Sequence, residues 1–302
     1  LPWGPLTAAI QTTLADEAAG RVQAPERWVL PVAPGTSWFL MPAWLAPEAG
    51  DLAAIKLITY AAANAQRGLP AILGDVLVMR ASTGERLALL DGPTVTARRT
   101  AAVSLLAVQR LAAQPAGPLL IIGTGVQALS HLQALSEGAG VREVWVRGRT
   151  PQRSRDFIAQ AQGQVREGVV LQPADDLDAA LQRCPLVVTA TPAAAPCLEG
   201  PLRSDAFVAA IGACTPAMIE LAPPLTRQLA ATGRVVIDSA AARHEAGDLL
   251  GAGIDTTGLP TLGEVLAGPA TAQGGAVLFK SCGAALWDLA AARCAVAALN
   301  SR

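Results

Sequence analysis

Apolar residues are spaced differently in the first 115 residues and in the rest of the chain. In the first part, residues 6–19 have helical spacing. Apolar stretches then predict extended segments, and these lie at 27–30, 37–41, 53–60 and 71–79. The beginning of the chain therefore mixes helix and strand.

A turn and a long helix follow these segments. Ser82-Thr83-Gly84-Glu85 is typical of a turn, after which residues 87–90 are expected to pair back as a hairpin. Residues 94–113 form one helical pattern with Ala and Leu on the buried side. Gln114-Pro115-Ala116-Gly117 ends that helix and marks the expected domain boundary.

After residue 118 the chain alternates between strand and helix patterns. Strands are expected at 119–122, 144–146, 169–172, 186–189, 207–211 and 235–237. Residues 175–183 form a clear amphipathic helix between two of them. This alternation predicts an α/β fold with a Rossmann-type doubly wound parallel sheet at 116–283. Residues 1–115 form a separate α+β domain, which the Ala-rich terminal helix in 284–302 is expected to complete.

A glycine loop joins the first strand of this alternation to a helix. The loop reads Gly123-Thr124-Gly125-Val126-Gln127-Ala128. Gly123 suits a tight turn, Gly125 lets the backbone approach a pyrophosphate, and Ala128 permits close packing of helix on strand. Amide N–H groups at a helix N-terminus favour the negative charge of a pyrophosphate. The strand before the loop and the helix after it therefore indicate dinucleotide binding.

The turn after the second strand bears on the type of dinucleotide. NAD sites usually have an Asp or Glu there to bind the ribose 2′-hydroxyl. This chain instead has Arg149, Thr150 and Arg153, and guanidinium groups suit a 2′-phosphate. A solvated basic turn is the alternative. We expect NADPH as the cofactor rather than NADH.

Other cofactor contacts are expected where further strands end. Ligands of doubly wound sheets bind beyond the carboxyl ends of the strands. Thr189 and Thr191 lie at one such end, Ile211 and Cys214 at the next, and Asp238 at a third. These strand ends are expected to surround the nicotinamide.

Cationic residues in the first part are the candidates for substrate binding. Lys56 interrupts an otherwise apolar strand, and a buried ammonium must be paired or functional. An ion pair with Asp91 or Glu85 is the structural alternative for Lys56. Of Arg98 and Arg99, at the start of the long helix, we expect only one to face a site, and Arg27 is a third candidate.

Composition excludes several classes of protein. The chain has 302 residues, of which 52% are hydrophobic, and its formal net charge is −1, so neither a nucleic-acid nor a membrane partner is indicated. The first residues lack the basic and apolar regions of a secretory signal, which favours the cytoplasm. Five widely spaced cysteines without a Cys-x-x-Cys pair predict reduced thiols and no metal. His131 and His244 are interpreted as packing or surface residues.

Short runs along nearly the whole chain match one known family. They are Lys56-Leu57-Ile58-Thr59, Asn64, Gly68-Leu69-Pro70, Thr83-Gly84, Thr96-Ala97-Arg98-Arg99-Thr100-Ala101-Ala102, the glycine loop, Thr189-Ala190-Thr191, Ile211-Gly212-Ala213 and Asp248. These runs resemble the ornithine cyclodeaminase/mu-crystallin family. The resemblance implies a nicotinamide cofactor and a homodimer formed through the substrate domain.

The resemblance also implies roles for the cationic residues and a branch of the family. Residues matching Arg27, Lys56 and Arg99 hold the substrate carboxylate in that family. Cyclodeaminases carry an aspartate where this chain has Cys214, and a thiol does not supply that charge at neutral pH. Two runs look like the branch that reduces cyclic imino acids: Phe279-Lys280-Ser281-Cys282-Gly283, which includes Ser281, and Trp287-Asp288-Leu289-Ala290-Ala291-Ala292-Arg293. A substrate of this class and a substrate contact from Ser281 are therefore expected.

Three other functions remain open from the sequence. An alanine-type amino-acid dehydrogenase would share these motifs. A true cyclodeaminase would need Asp238 or Asp248 to replace the missing aspartate. A binding protein that holds NADPH without turnover is the third possibility. In the reductase interpretation, the proton for the imine nitrogen comes from Lys56 or from an ordered water, unless the substrate binds already protonated.

Overall fold

The computed structural model describes residues 1–269 and 274–300. Its strands are β1 (Val22–Gln23), β2 (Trp28–Ala33), β3 (Thr36–Leu45), β4 (Leu52–Ala61), β5 (Ile72–Arg80), β6 (Arg86–Asp91), β7 (Leu119–Ile122), β8 (Glu143–Arg147), β9 (Val170–Pro173), β10 (Leu186–Thr189), β11 (Phe207–Ala210), β12 (Arg234–Ile237) and β13 (Val277–Lys280). Its α-helices are α1 (Trp3–Ala18), α2 (Gly92–Leu111), α3 (Val126–Gly138), α4 (Pro151–Ala161), α5 (Leu177–Arg183), α6 (Pro223–Thr232), α7 (Ala242–Glu245), α8 (Gly247–Gly251), α9 (Leu262–Ala267) and α10 (Ala285–Asn300). Within the described ranges, no helix is long and apolar enough to cross a membrane.

The chain divides into two compact units. The first unit is Leu1–Thr100 with Ala284–Arg302, and the second is Ala101–Gly283. The expected boundary after residue 115 differs from this division, which falls inside α2 at Thr100. The Pro/Gly signal marks the end of a helix. The two units are instead distinguished by which residues pack together, and α2 contributes residues to both.

The first unit is built on an antiparallel sheet of order β1-β3-β4-β5-β6, with β2 paired to β3. The predicted hairpin is confirmed, since β5 and β6 pair antiparallel after the turn. Although α10 is last in the sequence, it packs on α1, β3 and β4. An ion pair between Arg293 of α10 and Asp16 of α1 joins the two helices.

The two faces of this sheet differ in what covers them. Met41, Lys56 and Val76 are cross-strand neighbours on the buried face, and none is more than 2% exposed. Side chains alternate between faces along a strand, so Leu57 points to the opposite face, where it is 43% exposed. Other large apolar side chains share that face in the register, namely Trp28, Leu30, Trp38, Leu73 and Leu89. The sheet therefore presents an exposed apolar surface, which we call the outer face.

The second unit contains a parallel sheet of order β12-β13-β11-β10-β7-β8-β9. This order confirms the predicted doubly wound fold. The chain proceeds from β7 through β8 to β9 on one side and returns to β10 on the other, so β7 and β10 flank the topological switch point. Fully buried residues of the central strands, such as Leu120, Val187 and Val208, form its core.

One strand of this sheet was missed by the sequence prediction. β13 lies between β11 and β12, where residues 277–280 pair with both neighbours. Its four residues are all buried, as are those of β7, β10 and β11, which were predicted from the sequence. The run of β13 differs from those three strands in containing a charged residue, Lys280.

Both histidines have structural positions in the second unit. His131 is fully buried, and its Nδ1–H donates to the Gln127 carbonyl at 2.8 Å. The Ser104 hydroxyl donates to its Nε2 at 2.9 Å. Burial lowers the pKa of His131 to about 4, so the ring is neutral and ties α3 to α2. His244 is exposed, in agreement with its interpretation as a surface residue.

Candidate active site

A cleft of about 700 Å³ opens at the switch point of the second unit. Its walls come from the ends of β7, β8 and β10 and from the residues that follow them. They are Ile122, Gly123, Thr124, Gly125, Arg147, Gly148, Arg149, Thr150, Arg153, Ala190, Thr191, Pro192, Ala193, Ala195 and Cys197. Seven of the predicted cofactor residues are in this set: Gly123, Thr124, Gly125, Arg149, Thr150, Arg153 and Thr191. The cleft thus brings together the glycine loop, the basic turn and the end of β10.

Only glycine fits at position 123, because the backbone after β7 passes directly against the backbone after β10. The φ angle of Gly123 is +132°, and a Cβ at this position would lie 2.4 Å from the Ala190 carbonyl oxygen. No side chain fits in that space without moving backbone. Gly123 therefore lets the loop after β7 lie directly against the loop after β10.

Gly125 has a different role, because its packing leaves open space. A Cβ at this position would meet no heavy atom within 4 Å. Gly125 is the N-cap of α3, and it supplies no side-chain hydrogen bond to the amides of the first turn. Those amides point beyond the helix end, where an anion is favoured. The open cradle and the uncapped helix fit a dinucleotide pyrophosphate.

The basic turn after β8 contributes positive charge to the cleft. The hydroxyl oxygen of Thr150 caps α4 by accepting from the Arg153 backbone N–H at 3.3 Å. Arg149 and Arg153 are exposed at the wall of the cleft. Among the residues that line the cleft there is no Asp or Glu. This wall therefore lacks the carboxylate that would bind a ribose 2′-hydroxyl and offers guanidinium groups in its place.

The remaining predicted cofactor residues lie beside the cleft but are not among its lining residues. Ala128, Thr189 and Ile211 are buried, Gln127 is half-buried, and Val126 is 69% exposed at the start of α3. The small Ala128 side chain faces the core, as a close contact of helix on strand requires. These residues shape the loops that line the cleft.

Glu220, which was not predicted from the sequence, binds the backbone that follows β10 and β11. Its Oε1 accepts hydrogen bonds from the Thr191 N–H at 2.8 Å and the Thr191 hydroxyl at 3.0 Å. Its Oε2 accepts from the N–H groups of Gly212 and Ala213 at 2.7 and 3.1 Å. One fully buried carboxylate thus joins the ends of β10 and β11. Its position between apolar residues before a Pro-Pro pair was the available signal.

A second buried carboxylate supports Glu220. Asp248 Oδ1 accepts from the backbone N–H groups of Glu220 and Leu221 at 2.6 and 2.9 Å. Its Oδ2 lies 2.7 Å from Lys280 Nζ, which also donates to the Ala213 carbonyl. Burial raises the pKa of Glu220, while the nearby Lys280 ammonium and the amide donors oppose that rise. Asp248 therefore serves the backbone and Lys280 rather than a substrate amine.

Asp238 and the predicted substrate residue Ser281 are also committed to each other. The Ser281 hydroxyl donates to Asp238 Oδ2 at 2.8 Å, and the Gly283 N–H donates to the same oxygen at 2.8 Å. Both side chains are almost completely buried. Asp238 and Asp248 were the two candidates to replace the missing cyclodeaminase aspartate, and both are engaged inside the protein. Cys214, at the position of that aspartate, is half-buried.

The first unit contains a cluster of charges on the buried face of its sheet. Lys56 Nζ lies 3.0 and 2.9 Å from the two carboxylate oxygens of Asp288 on α10, and both side chains are 1% exposed. Arg99 Nε lies 3.4 Å from Asp288 Oδ1. We call Lys56, Arg99, Arg27 and Asp288 the cationic cluster, since Arg27 contributes to the electrostatics at Lys56. Its cations outnumber its one carboxylate.

The ion pair given as the alternative for Lys56 is present, but its partner is Asp288 and neither of the two carboxylates named as examples. Asp91 caps the start of α2 by accepting from the Thr94 N–H at 2.8 Å, and Glu85 pairs with Arg80 at 2.9 Å. Glu85 and Asp91 both belong to the β5–β6 hairpin that follows the strand of Lys56, whereas Asp288 is 232 residues away in sequence. Only the packing of α10 on β4 brings this carboxylate to Lys56.

The two adjacent arginines of α2 have separate environments. The Arg98 guanidinium lies 3.9 Å from the centre of the Trp3 ring, and its Nε donates to the Leu1 carbonyl at 2.7 Å. Arg99 lies at Asp288 instead. Of the two, only Arg99 therefore belongs to the cationic cluster around Lys56.

Burial makes Lys56 easier to deprotonate than an exposed lysine. Desolvation lowers the pKa of Lys56 to about 8, with further lowering by Arg99 and Arg27, while Asp288 opposes the shift. At neutral pH the lysine still carries its proton. The cluster then has a surplus of positive charge that suits a small carboxylate ligand.

Comparison with known proteins finds relatives that match nearly the whole chain. The sequence profile of the ornithine cyclodeaminase/mu-crystallin family matches residues 5–301. Delta(1)-pyrroline-2-carboxylate reductase 1 of Burkholderia multivorans is 41% identical over 302 residues, covering 100% of this chain and 93% of the relative. Ketimine reductase mu-crystallin of Mus musculus is 35% identical over 294 residues, covering 96% and 89% of the two chains.

A solved structure is similar over the whole length. Delta(1)-pyrroline-2-carboxylate reductase of Thermococcus litoralis, in complex with NADH and L-proline, superimposes with a TM-score of 0.89 at 25% identity. The match covers 100% of this chain and 94% of that one. The chain therefore belongs to the ornithine cyclodeaminase/mu-crystallin family, as its motifs predicted.

Proposed function

We propose that this protein reduces cyclic imino acids with NADPH. Its substrates are Δ1-piperideine-2-carboxylate, Δ1-pyrroline-2-carboxylate or both, and its products are L-pipecolate and L-proline. The observation that carries this proposal is the cationic cluster, in which buried Lys56 and Arg99 exceed the charge of Asp288. Relatives named as reductases of these imines, at 39–41% identity, support the same substrate class.

In this proposal the cationic cluster binds the substrate carboxylate. Arg99 offers a planar guanidinium, which can donate two parallel hydrogen bonds to a carboxylate. Lys56 adds a point charge that is held in place by Asp288, and Arg27 adds further positive charge. Fixing the carboxylate also fixes the neighbouring imine carbon, which lowers the entropic cost of the reaction. Ser281 was expected to touch substrate, but its bond to Asp238 favours a supporting role.

The cleft of the second unit holds the cofactor in this proposal. The amides at the start of α3 bind the pyrophosphate, and Arg149 and Arg153 bind the 2′-phosphate. Thr191, held by Glu220, forms part of the wall beyond β10. When bound, the reduced nicotinamide supplies the hydride that the imine carbon accepts.

The imine nitrogen must also gain a proton. Arginine does not supply it, because a guanidinium stays protonated in proteins. Lys56, with a pKa of about 8, can release a proton and regain it near neutral pH. An ordered water is the alternative donor, and a substrate that binds already protonated needs neither.

An assay of NADPH oxidation tests the function directly. The purified protein should oxidise NADPH when supplied with either cyclic imine, followed by the loss of nicotinamide absorbance. It should release no ammonia from L-ornithine, since Asp238 and Asp248 are both engaged. Oxidation that depends on added ammonia would indicate an amino-acid dehydrogenase. Cofactor binding without turnover would indicate a binding protein.

Replacing the basic turn tests the cofactor preference. Arg149→Ala combined with Arg153→Ala should raise the KM for NADPH by about 10–100-fold, because the two exposed guanidinium groups are expected to contribute about 1.4–2.8 kcal/mol together. The KM for NADH should change little. Arg155→Ala is the matched control, since Arg155 lies on the same helix but does not line the cleft. An equal loss for both cofactors would contradict a 2′-phosphate site at this turn.

The glycine loop offers a test that separates cofactor binding from folding. Gly125→Ser should keep the thermal stability, because serine is a good N-cap and meets no steric obstacle. It should nevertheless raise the Kd for NADPH at least about tenfold, because its hydroxyl takes an amide that the pyrophosphate needs. Gly123→Ala should instead lower the melting temperature, since its Cβ would meet the Ala190 carbonyl at 2.4 Å. Tight NADPH binding by Gly125→Ser would exclude the pyrophosphate from this cradle.

The outer face of the first unit supports a homodimer. Its six large apolar side chains are each at least 40% exposed, and Trp28 reaches 63%. Monomers rarely leave so many neighbouring apolar groups in water. Two copies of the chain that join these faces would bury them, in agreement with the dimerisation that the family resemblance implies.

A single charge should prevent that association. Leu57 lies on the middle of the outer face, so Leu57→Glu places a carboxylate where the two copies would meet. We expect the wild type to have the mass of a dimer in light scattering and Leu57→Glu that of a monomer. Val170→Glu is the control, because Val170 is 60% exposed on a strand of the second unit. A monomeric wild type would rule out the proposed dimer.

A further inference from the structure

Asp288 places a negative charge beside residues that are proposed to bind a negatively charged substrate. Its carboxylate is fully buried against Lys56 and Arg99, the two residues proposed to bind a substrate carboxylate. A negative charge at this place repels such a ligand. If repulsion were its only effect, removing the charge would tighten binding.

The surroundings of Lys56 explain why a negative charge is needed. The Lys56 side chain leaves β4 between the apolar neighbours Met41 and Val76 and is 1% exposed. Charged groups face it from three other segments: Asp288 from α10, Arg99 from α2, and Arg27 from the residues before β2. Without Asp288, a buried ammonium would face two guanidinium groups. Such a lysine loses its proton easily.

We propose that Asp288 is a positioning residue, which fixes the Lys56 ammonium and keeps it in the protonated form that binds an imino-acid carboxylate. This inference rests on the proposed function. The geometry supports it, because both Asp288 oxygens lie within 3.0 Å of Lys56 Nζ. The carboxylate contributes through the lysine and does not itself contact the substrate.

The electrostatics give the direction of the expected pH dependence. Burial lowers the pKa of Lys56 to about 8 although Asp288 opposes the shift. Carboxylate binding should therefore be strong at neutral pH and weaken as the pH rises through about 8. An opposite charge at this distance changes a pKa by about 1–3 units, so without Asp288 the weakening should begin at or below neutral pH.

The test measures carboxylate binding as a function of pH. Pyrrole-2-carboxylate is a suitable probe, because its ring nitrogen gains no proton in the relevant range. Its inhibition constant is measured against the imine, with NADPH saturating, from about pH 6 to about pH 10. In Asp288→Asn, which keeps the shape and removes the charge, the midpoint of the basic limb should move down by about 1–3 pH units, so the series for this variant extends down to about pH 4.5.

Three further variants separate this role from a merely structural one. Asp16→Asn removes the α1 carboxylate that pairs with Arg293 of α10, the helix that also carries Asp288. This variant can lower stability but should leave the midpoint unchanged. Asp288→Glu keeps the negative charge and should retain a midpoint close to that of the wild type. Lys56→Arg replaces the titrating group by one that does not titrate, so the basic limb should disappear.

The possible outcomes have distinct meanings. An unchanged midpoint in Asp288→Asn, or tighter binding at every pH, would overturn the inference. If Asp288→Asn does not fold, Lys56→Arg and Asp288→Glu decide together: a basic limb that persists without Lys56 overturns the inference, whereas loss of that limb with a wild-type midpoint in Asp288→Glu supports it. A wild type that neither binds pyrrole-2-carboxylate nor reduces either imine would overturn the proposed function, and the inference with it.

Discussion

The buried pair of Lys56 and Asp288 is the interaction on which the first unit depends. Moving an ammonium out of water costs several kcal/mol, and a sheet whose core contains one needs a matching carboxylate. That carboxylate comes from α10, so the last helix of the chain must lie on β4 for the sheet to be stable. A requirement of folding thus also fixes the cationic cluster in which we propose that a carboxylate ligand binds.

The second unit uses a buried carboxylate for a different purpose. Glu220 gathers three backbone amides and one hydroxyl from the ends of β10 and β11, and Asp248 in turn holds the backbone of Glu220. Strand ends have unpaired amide donors, which are costly to bury unless they find an acceptor. The same bonds fix Thr191 at the wall of the cleft. In both units, buried charge is satisfied within the protein and also orders a part of the candidate site.

Local patterns were sufficient to predict most of the fold and many of the residues that line the cleft of the second unit. The glycine loop, the basic turn and the end of β10 are each read from a short run, and parallel strands bring their carboxyl ends to one edge. β13 was not predicted, although it is as short and as buried as β7, β10 and β11, which were; it differs from them in containing Lys280. The roles of Asp288, Glu220 and Lys280 were not predicted, because they depend on contacts between residues that are far apart in sequence.

The error over Lys56 shows what a sequence can establish about a buried charge. The rule that a buried ammonium needs a partner was correct, and it singled out the right residue. Choosing Asp91 or Glu85 assumed that the partner would be near in the chain, but both of these serve local turns. A helix that is remote in sequence could provide the partner because α10 packs over the middle of the sheet rather than its edge. The position of α10 therefore links the stability of the first unit to the charge state of Lys56, so a substitution that displaces this helix should also alter carboxylate binding.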